Sequence, residues 1–202
     1  MTEILVLASG RGSNFRAVIE AIESGRLSEC RIIGLITDRE GTGGADLANE
    51  KKIPVTVIDF AKYTSRALFD LALEEAVADH SPDLILTLGY MRLLNGEIVK
   101  KYLYKIINIH PSLLPSFPGM KSQKQAFDYG VRITGATVHF MDEGVDTGPV
   151  ILQKAVDVEQ EMTVEELSRE ILKAEHKILV DAIRLYSQDR LEIQGRKVVI
   201  RK

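Results

Sequence analysis

A continuous apolar run, Ile4-Leu5-Val6-Leu7-Ala8, breaks at Ser9-Gly10-Arg11-Gly12-Ser13-Asn14. It gives way to apolar residues at helical spacing: Phe15, Ala17, Val18, Ile19, Ala21 and Ile22. An uninterrupted run of strand length suits a parallel strand buried on both faces, whereas a half-exposed strand alternates. The helix is predicted to stop near Ser24, with Gly25 as its C-cap. The alternation recurs. A strand over 32–37 leads through the Gly-rich turn 41–44 to a helix over 45–52 and a strand over 55–58. A longer helix over 65–78 counts Leu68, Leu71, Leu73 and Ala76 among its apolar positions. A strand over 84–88, a short helix over 97–102 and a fifth strand over 106–110 follow.

Strands alternating with helical stretches through short connections indicate βαβ units, hence an α/β protein with a doubly wound, mainly parallel sheet. Beyond Pro115 the rhythm changes. A short helix fits 122–129, and two strand patterns, 134–140 and 149–156, are separated by loop alone, which predicts an antiparallel C-terminal portion. Thr163 and Glu166 have the spacing of a capping box and open a last helix running to about Ser187. The tail, 191–202, carries short β-prone pieces around Gly195. No repeat or low-complexity segment interrupts the chain. A single domain is expected, with one half over about 1–100 and a second over about 101–190.

Composition narrows the function. The 26 basic and 29 acidic residues leave a net charge of −3, and no basic cluster is dense enough to track a phosphate backbone, so a nucleic-acid partner is disfavoured. No apolar run approaches the roughly 20 residues that span a bilayer, and no basic, cleavable leader is apparent at the N-terminus. The expectation is a cytoplasmic protein without a membrane partner. Cys30 is the only cysteine, which excludes an intrachain disulfide and a thiolate-rich metal site within one chain.

The strongest chemical signal is Asn108-Ile109-His110, at the end of the fifth strand and just before Pro111-Ser112-Leu113-Leu114-Pro115. Alternation puts Asn108 and His110 on one face, at a strand carboxyl end, where open α/β sheets bind ligands. A carboxamide and an imidazole side by side can hold a developing oxyanion and move a proton. Gly10-Arg11-Gly12-Ser13-Asn14, between the first strand and first helix, suits a phosphate. Phe15 occupies the third glycine position of the dinucleotide fingerprint, so a monophosphate fits better. A plain βα turn capped by Ser13 or Asn14 is the competing reading. Asp146 alone reads as a turn former, and His139 as either buried or turned to the same cleft. His110, His139 and Asp146 lack metal-binding spacing, and no metal is expected.

Four segments taken together resemble the folate-dependent formyltransferases. They are Ser9-Gly10-Arg11-Gly12-Ser13-Asn14, Gly89-Tyr90-Met91-Arg92, Asn108 through Pro115, and Gly144-Val145-Asp146-Thr147-Gly148-Pro149. The resemblance runs from the first strand to the last long helix. The Gly-Ser-Asn turn and Phe117-Pro118-Gly119 point to the branch acting on glycinamide ribonucleotide. It implies a Rossmann-like domain and formyl transfer from 10-formyltetrahydrofolate, as co-substrate, to the amine of glycinamide ribonucleotide in purine biosynthesis. By this resemblance Asn108, His110 and Asp146 match the catalytic trio, and Gly12, Ser13 and Asn14 the phosphate turn. Glu175 matches the acid that holds the ribose. Arg66 matches a contact to the formyl donor. Met91, Arg92 and Leu94 match one wall of the folate pocket, with Phe140, Met141, Asp142 and Val145 in the other, and His139 is a possible accessory. A lysine that contacts phosphate in some relatives is out of register, with Leu172 in its place and Lys173 one residue off. A tRNA-directed sibling would carry a large C-terminal domain, and a hydrolytic sibling an N-terminal regulatory one.

The partners expected are therefore the two small molecules, with a monomer or homodimer as the assembly. Formyltetrahydrofolate hydrolysis, formylation of another amine, and a nucleotide-binding module without turnover stand as alternatives.

Overall fold

The computed structural model describes residues 1–201. They divide into two compact units, Met1–Ile107 and Asn108–Lys202. Among the described residues the main sheet is largely parallel, with an antiparallel pair toward the C-terminal end.

In the first unit β1 (Thr2–Leu7) pairs in parallel with β2 (Cys30–Thr37) and with β4 (Leu84–Thr87), and β2 pairs in parallel with β3 (Val55–Val57). Ile4, Leu5, Val6 and Leu7 are fully buried, as a strand covered on both faces requires. Helices α1 (Ser13–Glu23), α2 (Gly43–Glu50), α3 (Arg66–His80) and α4 (Gly96–Lys101) supply the connections, with one 3-10 turn at Phe60–Lys62. Their starts are written locally. Thr42 accepts from Ala45 N, Ser65 from Leu68 N and Asn95 from Ile98 N, each filling one orphan amide of the first turn. Ser24 is the C-cap of α1, and Gly25, the expected cap, follows it at φ 78°, one residue beyond the observed cap.

Helix α3 buries only part of its apolar surface. Leu68 and Leu71 are half exposed, and its buried face is Phe69, Leu73 and Val77. Apolar residues lie all round this helix, so composition alone does not single out the inner stripe.

The fifth strand, β5 (Ile106–His110), ends in the second unit, where β6 (Ile133–Phe140) and β7 (Val150–Asp157) pair antiparallel. Helix α5 (Ser122–Tyr129) covers its expected span. Helix α6 (Val164–Ser187) opens on a complete capping box: Thr163 Oγ1 accepts from Glu166 N, and the Glu166 carboxylate accepts from Thr163 N. Leu167, Ile171, Leu179 and Ile183 on α6 are buried. The tail forms a hairpin, β8 (Leu191–Gln194) and β9 (Lys197–Ile200), turning at Gly195 with φ 62°. Among the described residues no helix is long and apolar enough to cross a membrane.

Candidate active site

In the second unit four side chains meet. Asn108 and His110 leave β5 on one face, two residues apart. His139 lies where the β6–β7 register shifts, between Val138 and His139, an irregularity that re-aims the strand's last side chains. Asp146 lies in the 141–149 loop with φ 54°, in the left-handed region that aspartate tolerates better than most residues. Gly148 lets that loop close. Phe140 N donates to Pro149 O at 2.9 Å, and a Cβ on Gly148 would overlap the Phe140 carbonyl.

The Asp146 carboxylate is the hub. Oδ2 accepts from Gly119 N at 2.7 Å and lies 3.2 Å from His110 Nδ1, while Oδ1 faces Asn108 Nδ2 at 3.5 Å. Burial works to raise this carboxyl, but His139, the Gly119 N–H and His110 outweigh it and hold it below the ordinary aspartate value. His110 is buried, and its second nitrogen, Nε2, lies 2.8 Å from the Phe117 carbonyl. Both ring nitrogens thus face acceptors, and only an imidazole carrying two protons donates to both.

His139 adds a second layer. Its Nδ1 donates to the Phe140 carbonyl at 2.8 Å, and its Nε2 lies 3.1 Å from Asn108 Nδ2 and 3.7 Å from Asp146 Oδ1. This fixes which way the Asn108 amide points, its nitrogen toward the histidine and Asp146.

The remaining candidates of this unit are placed less uniformly. The Phe140 ring packs against Tyr186, with centroids 6.4 Å apart, so its side chain belongs to the core. Asp142 closes the loop on itself, its Oδ1 accepting from Gly144 N and Thr147 Oγ1. Met141 is partly buried and Val145 exposed. Glu175 is buried on α6, whereas Lys173 is exposed and paired with Glu170 at 2.7 Å. A groove of about 990 Å³ along β7 and α6, lined by Lys154, Arg169 and Lys177 among others, includes none of the trio.

The first unit holds the other candidates. Gly12 is the N-cap of α1 at φ 78°, and no side chain caps the helix, so neither Ser13 nor Asn14 plays the structural capping role. No side chain caps the first-turn amides and no acidic residue lies in that turn, so N–H donors and the positive end of the helix dipole remain for an anion. A Cβ on Gly12 would stand 2.9 Å from Gly44 Cα, so glycine is required by space as well as by φ. Past β4, Gly89 at φ 68° leads into a stretch with Met91 exposed and Arg92 and Leu94 half-buried. Arg66 pairs with Asp70 at 2.7 Å and donates to the Leu93 carbonyl.

Sequence reasoning did not find the Phe117 carbonyl or the Gly119 amide, since main-chain groups leave no residue signature; only the Pro-Gly pair beside them hinted at a fixed turn. It also gave Asp38 no role and did not connect Ser9 with Met91, although the two residues hold the Met91–Arg92 stretch.

A model of the formyl transferase family matches residues 2–183. The chain belongs to this family. Among its relatives, it is 40% identical over 177 residues to the phosphoribosylglycinamide formyltransferase of Bacillus subtilis, covering 88% of this chain and 90% of that protein. It is 43% identical over 182 residues to the trifunctional purine biosynthetic protein adenosine-3 of Bos taurus, covering 90% of this chain. The match spans only 18% of the length of that larger relative. This formyltransferase also superposes on the crystal structure of glycinamide ribonucleotide transformylase 1 from Symbiobacterium toebii with a TM-score of 0.96. The two share 44% identity, with 100% of this chain and 95% of the other covered. That agreement covers the doubly wound, mainly parallel fold expected from the alternating pattern.

Proposed function

We propose that this formyltransferase moves the formyl group of 10-formyltetrahydrofolate to the primary amine of glycinamide ribonucleotide. The observation that carries the proposal is the Asp146 carboxylate beside His110, with Asn108 oriented by His139. The names of the Bacillus subtilis and Symbiobacterium toebii relatives support the choice of amine.

The cluster suits direct transfer. The amine nitrogen attacks the formyl carbon, and a tetrahedral oxyanion forms. His110 Nε2–H, which in this structure meets the Phe117 carbonyl, and the Asn108 amide are the donors for that oxyanion. Each such donor is worth about 3–4 kcal/mol of barrier. Asp146 balances the imidazolium and accepts the proton that the attacking nitrogen sheds, directly or through one water. The carbon–N10 bond then breaks, and N10 takes up the same proton, passed on from Asp146, as it leaves. The cluster contains no nucleophilic hydroxyl or thiol, so no covalent enzyme intermediate is called for.

Binding is assigned residue by residue on the same reading. The uncapped amides at Gly12, Ser13 and Asn14 take the ribonucleotide phosphate, which supplies remote binding energy for placing the amine. Glu175 takes the ribose hydroxyls. To folate binding are assigned Arg66, Met91, Arg92 and Leu94 of the first unit and, of the second, the Phe140 main chain with Met141, Asp142 and Val145.

Absorbance of the folate, followed with and without glycinamide ribonucleotide, tests this. Tetrahydrofolate is expected only when the ribonucleotide is present. Formate release in its absence would identify a hydrolase, and no turnover in either case a binding module.

A further inference from the structure

Asp38 follows the last residue of β2, and its carboxylate is wholly shielded from solvent. A buried carboxylate is tolerated only where its lone pairs are filled. Here they are filled from three directions. Arg39 Nε lies 3.2 Å from Oδ1 and Arg39 Nη2 3.2 Å from Oδ2. Arg92 Nε lies 2.9 Å from the same Oδ2. The Ser9 hydroxyl is the third donor. Burial pushes the carboxyl up, yet these donors together hold it below the ordinary aspartate value.

The network continues beyond the carboxylate. Ser9 Oγ, whose O–H donates to Asp38, accepts from Met91 N at 2.9 Å. The Arg92 guanidinium lies over the Phe60 ring, 4.1 Å from its centroid. Phe60 in turn donates its N–H to the Asp38 carbonyl at 3.3 Å. One residue therefore holds two consecutive positions of the stretch read above as folate-lining, Met91 through its main chain and Arg92 through its guanidinium. Met91 and Leu93 remain exposed around it. A buried ion pair adds little net stability over apolar packing, so the return on burying this one lies in geometry.

We propose that Asp38 is a positioning residue for folate binding: its carboxylate fixes the Arg92 guanidinium and, through Ser9, the Met91 main chain, so that the co-substrate meets a wall already in place. The proposal rests on reading Met91–Leu94 as part of the folate site. Asp38→Asn keeps the shape but turns one acceptor into an NH2 group that faces donors, which releases at least one tether.

Steady-state kinetics with both substrates varied, alongside thermal unfolding, test it. Asp38→Asn is expected to raise KM for 10-formyltetrahydrofolate about tenfold, the loss of one hydrogen bond to a charged group. KM for the ribonucleotide and kcat should stay unchanged. Ser9→Ala should move the folate KM the same way by less. Arg39→Ala, which removes a half-exposed partner of the carboxylate but neither tether, should leave it unchanged. A folate KM unaltered in Asp38→Asn and Ser9→Ala overturns the proposal. So does an equal rise in Arg39→Ala, or a kcat and ribonucleotide KM that worsen in step with the folate KM. Should Asp38→Asn fail to fold, Ser9→Ala decides by the same criterion. If Arg92→Ala itself leaves folate KM untouched, the folate-lining reading is what has failed, and the proposal falls with it.

Discussion

His110 Nδ1 stands 3.2 Å from Asp146 Oδ2, and that same oxygen receives the Gly119 N–H at 2.7 Å. The carboxylate thus orients the imidazole and is itself held from a third segment of chain. A group fixed this way has lost its rotational freedom before any substrate arrives, which is what makes its charge effective.

Asp146→Asn keeps the shape but removes the charge that balances His110. The expected result is a fall in kcat of roughly 100- to 1,000-fold, the scale for removing a transition-state electrostatic group. Folate affinity, read by fluorescence titration, should change little. Turnover near that of the wild type would remove Asp146 from the mechanism.

His139→Ala deprives the Asn108 amide of the ring nitrogen at 3.1 Å that sets its direction. The expected loss in kcat is about tenfold, one hydrogen bond's worth of orientation. Because His139 is buried, the melting temperature should fall too. Unchanged kcat with a lowered melting temperature would leave it a packing residue only.

Gly148→Ala introduces a methyl group where the Phe140 carbonyl already lies. The turn that presents Asp146 must open. A stability loss of about 3 kcal/mol is expected in urea titration, with turnover falling alongside. Gly12→Ala acts on the other ligand. Its strained φ of 78° and its approach to Gly44 should raise KM for the ribonucleotide at least about tenfold while the folate KM holds.

The acid limb of stability carries a sign that can be worked out. Asp38 and Asp146 both titrate below the ordinary aspartate value in the folded protein. The unfolded chain therefore binds more protons between the folded values and about pH 4, and stability climbs with pH across that window. It is fully present above the window and lost as pH falls through the folded values. Asp38→Asn and Asp146→Asn should each flatten that climb, as read from melting temperature against pH.

Much of the fold could be read from local signals, because those signals are local in origin. The Thr163–Glu166 box, the Ser65 and Thr42 caps and the unbroken apolar run of β1 each act within a turn or a single strand. The inner face of helix α3 was not legible because periodicity had no contrast to offer: Leu68 and Leu71 are as apolar as Leu73, yet of the three only Leu73 is buried. The pairing of Asn108 with His110 followed from strand alternation. That His139 would direct the Asn108 amide, or Ser9 link Asp38 to Met91, depends on contacts between distant strands and loops. No spacing along the chain encodes them.

Two of the contacts around His110 and Asp146 come from main-chain atoms, the Phe117 carbonyl and the Gly119 amide. Neither bond uses a side-chain atom of that stretch, although Gly119, at φ 78°, is held to glycine by its backbone. A one-residue insertion or deletion between 116 and 119 is another matter, since it displaces both atoms at once. The length of this loop is thus the quantity that His110 and Asp146 depend on.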